Sequence, residues 1–250
     1  MPDGSWLGLG ERRVVVAGGA GTIGRALVEG YLDAGAKVAV IDIGFDGLGE
    51  LAPRVSTAQA DLRDPDACRA AVASAREALG GGIDVFVHCV GINNRKPIEE
   101  YTDQEWEDIL EINLSSAFHT AAAVAPVMRE QGNGRIVFFS SVAGRSGHKL
   151  HGPYAATKGA LNQLARVMAH EYAADGVTVN AVAPGYMETA LTNAYLEANP
   201  AKKEALLGLI PAGRFGHLDE VVGPVLFLSS AHAGFINGQI LYIDGGRSVV

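Results

Sequence analysis

Tyr154 and Lys158 stand four residues apart in Pro153-Tyr154-Ala155-Ala156-Thr157-Lys158, a run that reads as the opening of a helix, so their side chains share one face. A tyrosine hydroxyl has an ordinary pKa of ~10, too high for a base near neutral pH. A neighbouring ammonium favours the phenolate and lowers that value, which makes the pair a candidate for moving a proton. Taken alone, the same spacing describes an ordinary i,i+4 pair on a helix. Ser141, just past an apolar run, could hydrogen-bond a substrate oxygen, and Asn113 lies in a helical stretch where asparagine is a mild propensity defect. Tyr154, Lys158 and Ser141 together suit proton transfer at an alcohol or carbonyl.

A second group of residues suits a nucleotide. Gly18-Gly19-Ala20-Gly21-Thr22-Ile23-Gly24 follows the strand-like run Arg13–Ala17 and leads into a helix expected over Arg25–Ala34. Gly19, Gly21 and Gly24 satisfy GxGxxG, a pattern that lets backbone approach a pyrophosphate at a helix N-terminus. Asp42 ends the second strand, about 20 residues beyond the glycines, where an acid bonds the adenosine ribose hydroxyls. A carboxylate there repels a 2′-phosphate, and Ile43 brings no compensating charge, so NAD is expected over NADP.

These residues need a scaffold, and the chain supplies one by alternation. Strands are expected at Arg13–Ala17, Lys37–Asp42, Ile83–Val90, Arg135–Ser140, Val177–Ala183 and Ile240–Ile243, with Ala-rich helical segments between them. Asp64 and Pro65 read as N-cap and first helical residue, and Gly80-Gly81-Gly82 closes that helix. Thr102 and Glu105 form a capping-box pattern. A further helix is expected from near Pro153 to near Gly176. The pattern predicts an α/β fold: a Rossmann-type, doubly wound parallel sheet of about seven strands with helices on both faces. Residues 1–250 read as one dinucleotide-binding catalytic domain, since no linker or repeat interrupts them. Glu188–Phe215, with Pro200, Pro211 and Gly213, is the least regular stretch and the expected lid.

Composition narrows the class. The chain has 250 residues, 48% hydrophobic and 19% charged, with a net charge of −8. That charge, with no concentrated basic arm, disfavours nucleic acid. No run reaches the ~18 apolar residues of a membrane helix, and the N-terminus lacks a secretion-signal pattern. Cys68 and Cys89 form neither a disulfide framework nor a metal spacing, and Cys89 reads as a packed residue at a strand end. No metal and a cytoplasmic location are expected.

The motifs together resemble the short-chain dehydrogenase/reductase family over nearly the whole chain. Asn113, Ser141, Tyr154 and Lys158 fall where that family has its catalytic tetrad, and Gly18, Thr22 and Gly24 where it has its TGxxxGxG loop. Asp61-Leu62 matches the pair beside the adenine ring. Ser140-Ser141-Val142-Ala143-Gly144 and Tyr154-Ala155-Ala156-Thr157-Lys158 match the serine and tyrosine segments. Pro184-Gly185 with Met187 and Thr189 resembles the loop on the nicotinamide carboxamide, and Asp244-Gly245-Gly246 the C-terminal signature. The resemblance implies cofactor contacts at Gly18, Gly21, Thr22, Ile23, Gly24, Asp42, Ile43, Asp61, Leu62, Val90, Gly91, Tyr154, Lys158, Pro184, Gly185, Met187 and Thr189. It implies that Tyr154 is the general acid/base, that Lys158 lowers its pKa and holds the nicotinamide ribose, and that Ser141 orients the substrate oxygen. Asn113 would hold a relay water. Three departures stand out: Ala17 replaces the family's Thr, Thr22 its middle Gly, and His88-Cys89-Val90-Gly91 its NNAG segment.

The segments Gly91–Pro97, Pro184–Thr189 and Ile210–Gly216 are most similar to the gluconate and deoxygluconate dehydrogenases of that family, which implies a sugar acid or polyol as substrate. Arg95, Lys96, His148, His151 and Tyr186 lie in loops after strands, the end at which open α/β sheets bind ligands, and the cations could receive a carboxylate. Alternatives are a carbonyl reductase of the 3-oxoacyl-carrier-protein type, a tailoring dehydrogenase acting on a cyclic polyol, and a nucleotide-binding module without turnover. The last has no chemical need for Tyr154 and Lys158 together. The family resemblance also implies a homotetramer.

Overall fold

A computed structural model describes residues 4–189 and 196–249 of the chain. Seven strands form one parallel sheet: β1 Arg13–Ala17, β2 Lys37–Asp42, β3 Ser56–Gln59, β4 Val85–His88, β5 Gly134–Phe139, β6 Val177–Pro184 and β7 Ile240–Ile243. Their order is β3-β2-β1-β4-β5-β6-β7. The chain therefore reverses direction between β1 and β4, and the crevice beyond the carboxyl ends of those strands is where open α/β sheets take ligands. β5 and β6 are buried along their whole lengths, as their near-continuous apolar sequence requires of strands covered on both faces. Seven α-helices are described: α1 Thr22–Asp33, α2 Pro65–Ala78, α3 Asp103–Leu110, α4 Ser116–Gln131, α5 Gly152–Tyr172, α6 Pro200–Leu207 and α7 Asp219–Ser229. One core layer packs α2, α4 and α5 against the sheet, with Phe86, Phe138, Met128 and Leu161 at its centre. The other packs α1 and α7, with Leu27, Tyr31, Val221 and Val225.

Local signals account for most element ends. Asp64 accepts from the Asp66 N–H at the start of α2, and the reciprocal Thr102–Glu105 box opens α3. Gly176 ends the α5 region in a left-handed conformation at φ 74°. The structure differs from expectation at five places. β3 was not expected, because Ser-Thr-Ala-Gln is short and polar, which an edge strand permits. β4 is shorter than Ile83–Val90 at both ends. α1 begins at Thr22 rather than Arg25, so the last residues of the glycine loop form its first turn. Between α3 and α4 the backbone widens into a π-turn over Glu111–Ser115, with the Ser116 N–H bonded to the Glu111 carbonyl. In the expected lid, Glu188–Phe215, residues 190–195 lie outside the described residues; the remainder is more regular than expected and carries α6. No described helix is long and apolar enough to cross a membrane.

Candidate active site

The tetrad residues come from three elements, the π-turn, the end of β5 and α5, and meet at the carboxyl ends of β4 and β5. Ser141 follows β5 and caps the single 3-10 turn Val142–Gly144, accepting from the Ala143 N–H at 3.2 Å. Tyr154 lies in the first turn of α5, and its side chain lines the same cavity as Ser141. Burial raises the Tyr154 pKa, while the Ser141 hydroxyl and the Arg95 charge act downward. Lys158, one turn on, is buried and donates to the Phe139 carbonyl at 2.7 Å; its ammonium lies 5.6 Å from the Tyr154 ring centre. Burial brings the Lys158 pKa down to about 8. At Tyr154 burial outweighs both Ser141 and Arg95, so the phenol stands above its ordinary value.

Asn113 sits within the π-turn, fully buried. Its amide clamps the Ile92 backbone, accepting from the Ile92 N–H at 2.7 Å and donating to its carbonyl at 2.9 Å. The second amide hydrogen goes to Thr157 Oγ1 at 3.3 Å. Both amide hydrogens are committed, so the water-holding role expected of Asn113 is not one its NH2 group is free to play. The clamp instead fixes the strand-to-loop segment beside Gly91. Where the resemblance expects Asn-Asn-Ala-Gly, His88 is fully buried and bonds Ser116 Oγ at 3.0 Å, and that hydroxyl donates to the Ile112 carbonyl. Burial and the Lys158 charge hold the His88 pKa down near 3, so the ring is neutral. The Cys89 thiol donates to the Ala17 carbonyl, and burial pushes its pKa up to about 12, that of a packed residue and not a nucleophile.

The nucleotide end is a backbone cradle. A Cβ at Gly24 would lie 2.0 Å from the Gly18 carbonyl oxygen, so the loop closes on the helix only with glycine there. Gly21 caps α1 with no side-chain hydrogen bond, and the first-turn N–H groups of Thr22, Ile23 and Gly24 face the loop mouth uncapped. Gly91 leaves a second gap: a Cβ there would meet Lys158 Nζ at 3.3 Å and Asn113 Oδ1 at 3.4 Å. Val90 packs beside Gly18. Both cradles fit a dinucleotide, with glycine where backbone must come close and a cation beside the second gap.

Asp42 stands at the end of β2, accepting from the Ala20 N–H at 2.9 Å and from the Ile43 N–H at 2.8 Å, while Ile43 is exposed. Asp61 is gripped by Arg63, whose hydrogen bonds hold its carboxyl below the usual range; Arg63 was not singled out from sequence. Leu62 is buried. Gly185 donates to the Ile243 carbonyl, continuing the β6 register past Pro184. Met187 packs its thioether on Gly216, leaving its backbone as the part able to face the cleft. Thr189 is the last residue described before position 196.

Beside Ser141 and Tyr154 lies a cavity of about 100 Å³, lined also by Asn93, Arg95, His148, His151 and Tyr186. It continues into a wider cleft of about 730 Å³ that reaches Arg247. The structure thus gathers Arg95, His148, His151 and Tyr186, as expected. It separates Lys96, whose ammonium is bound by the Glu105 carboxylate at 2.6 Å. Glu105 is in turn driven down to about 2, chiefly by Lys96, so Lys96 anchors α3 and does not face substrate. Arg247 was missed; the one sequence signal was a cation directly after Asp244-Gly245-Gly246. Among the described residues no cluster of His, Cys, Asp and Glu suits a metal ion.

Comparison with known proteins agrees with this geometry. A family model described as "Enoyl-(Acyl carrier protein) reductase" matches residues 18–248. Gluconate 5-dehydrogenase of Gluconobacter oxydans is 35% identical over 96% of this chain and 96% of its own. The 3-oxoacyl-[acyl-carrier-protein] reductase of Escherichia coli is 34% identical over 94% of this chain and 97% of its own. A gluconate 5-dehydrogenase of Burkholderia cenocepacia, solved in complex with NADP and tartrate, superposes with a TM-score of 0.90 at 35% identity, covering 96% of each chain. With the tetrad positions, the glycine cradle and the sheet order in place, the chain belongs to the short-chain dehydrogenase/reductase family and is an oxidoreductase of alcohol and ketone groups.

Proposed function

We propose that the chain is an NAD(H)-dependent dehydrogenase that interconverts a secondary alcohol and a ketone on a sugar acid or polyol. The observation that carries this reading is the junction of Ser141 and Tyr154 with a cleft lined by polar and cationic groups, Asn93, Arg95, His148 and His151.

A nicotinamide cofactor, when bound, supplies the hydride acceptor for oxidation and the donor for reduction. Thr22, Ile23 and Gly24 would hold its pyrophosphate through backbone N–H groups, with Gly18 and Gly21 shaping the loop against it; Asp42 and Ile43 would hold the adenosine ribose, and Asp61 and Leu62 the adenine. Val90, Gly91 and Lys158 would hold the nicotinamide ribose, and Pro184, Gly185, Met187 and Thr189 the carboxamide. In oxidation Tyr154 Oη takes the proton of the substrate hydroxyl, and in reduction it returns one to the carbonyl oxygen. Ser141 Oγ orients that oxygen and steadies the phenol. Asn113 holds the Ile92 segment, and with it Gly91, at the spacing the cradle requires. The B. cenocepacia structure holds NADP, so the NAD preference proposed here rests on this chain's own Asp42.

A panel of sugar acids, polyols, cyclic ketones and 3-oxoacyl thioesters, read by NADH absorbance with each cofactor, tests the proposal. Turnover confined to hydroxy acids and polyols, with higher kcat/KM for NAD than NADP, is the expected result. A preference for thioesters would overturn the substrate class, and equal or better efficiency with NADP would overturn the cofactor. By family likeness, the assembly is taken to be a homotetramer.

A further inference from the structure

The C-terminal turn carries a cation with nowhere to put its charge. Asp244 accepts from the Gly246 N–H at 3.0 Å and from the Ser248 N–H at 2.7 Å, which fixes the turn around Arg247. The guanidinium lies 4.5 Å over the Tyr186 ring and donates through Nη2 to His148 Nδ1 at 3.0 Å. Its Nη1 is buried with no hydrogen-bond partner. Among the described residues no carboxylate pairs with Arg247, and none pairs with Arg95 across the same cleft. A buried guanidinium N–H without an acceptor is costly, and it is tolerated where a ligand supplies the missing oxygen. In a chain of net charge −8, two unpaired arginines facing one cleft mark a local reversal of sign.

The aromatic groups tie this cation to the reacting end. His148 and His151 have ring centres 5.8 Å apart, and His151 lies 6.1 Å from Tyr154. His151 Nδ1 donates to the Lys149 carbonyl, which fixes its ring. His148 must be unprotonated at Nδ1 to accept from Arg247, and it is held neutral by burial and by the Arg247 charge. Arg247, His148, His151 and Tyr154 thus form a continuous wall from the cleft mouth to the phenol.

We infer that Arg247 is a specificity residue that, with Arg95, receives a carboxylate of the substrate while a hydroxyl several bonds away meets Tyr154 and Ser141. This rests on the dehydrogenase reading above and deepens it: the enzyme selects anionic hydroxy or oxo acids over neutral polyols. The carboxylate meets the edge of the Arg247 guanidinium that lines the cleft opposite Arg95, and the planar fork of arginine suits binding it with two N–H groups.

The test compares D-gluconate with neutral sorbitol for the wild type, Arg247→Gln and Arg247→Lys, with NADH binding as a control for folding. For Arg247→Gln, an about 10- to 100-fold rise in KM for gluconate is expected, with constants for sorbitol within about twofold of wild type and partial recovery in Arg247→Lys. Equal losses on both substrates, or no loss on gluconate, would overturn the inference while leaving the dehydrogenase reading intact. Should the wild type turn over neither compound, that reading loses its sugar-acid substrate, and calorimetric titration of gluconate into the NAD-loaded protein decides the inference separately. Binding that is lost in Arg247→Gln supports it; no binding, or binding unaffected by the substitution, overturns it.

Discussion

At the scale of single residues, burial makes the Tyr154 phenol a poorer base, and its neighbours offset that only in part. Tyr154 is raised by desolvation and eased by Ser141 and Arg95. Removing only its hydroxyl isolates the proton transfer: Tyr154→Phe is expected to lower kcat by about 10²- to 10⁴-fold while leaving NADH affinity within twofold, measured by steady-state rates and fluorescence titration. A variant that kept a tenth of wild-type kcat would remove Tyr154 from the proton path. Asp42 performs two separable tasks, since it braces the glycine loop through the Ala20 N–H and carries charge beside the expected ribose. Asp42→Asn keeps an acceptor for Ala20 and drops the charge, so the NADP-to-NAD ratio of kcat/KM is expected to rise about tenfold. Asp42→Ala also loses the brace, and its KM for NAD should rise further. A ratio unchanged in Asp42→Asn would show that the carboxylate does not set the preference.

At the scale of elements, the end of β4 and the π-turn before α4 are held together by a neutral histidine. His88 donates to Ser116, Ser116 donates to the Ile112 carbonyl, and the turn carries Asn113. Its pKa falls from 6.5 to about 3 on folding, chiefly through burial. Below pH 6.5 the unfolded chain takes up a proton that the folded chain refuses, so stability present above that pH is lost as the pH falls towards 3. Between pH 7 and pH 5 this one group is expected to cost ~2 kcal/mol. His88→Asn should flatten that limb, seen as a smaller change in urea unfolding free energy between the two pH values; equal changes in both proteins would show that His88 titrates alike folded and unfolded. Sequence reading could not reach this device. Hydrophobic periodicity marked the helix around Asn113, but an extra residue in a turn leaves the pattern almost intact. Ser56–Gln59 escaped for a related reason, because an edge strand with one buried residue shows no alternation to read. By contrast Asp64, Thr102 with Glu105, and Gly24 were legible, since capping and close backbone approach each demand a particular residue type at a fixed offset.

At the scale of the molecule, alternating strands and helices were sufficient to specify a doubly wound sheet, and the glycine loop placed its nucleotide end. What no local pattern could supply is the meeting of Arg247 with His148, 99 positions apart. That contact follows from β6 and β7 lying side by side at one end of the sheet, which brings the chain terminus over the cleft. The same edge bears on assembly. β7 closes the sheet with Leu241 exposed, while α4 and α5 hold Phe118 and Val167 in solvent at 51% and 44%. An edge strand and long helices with apolar residues outward are surfaces a homotetramer would cover. Symmetry sharpens the test, because a residue at an isologous interface meets its counterpart and each substitution acts at least twice. Light scattering on the wild type is expected to give four times the 26.1 kDa chain mass. Val167→Asp places mutually repelling, desolvated carboxylates across that face, so its mass should fall below four chains with far-ultraviolet circular dichroism unchanged. A wild-type mass of one chain would sink the assembly outright, and a full tetramer in Val167→Asp would move its contacts off α5.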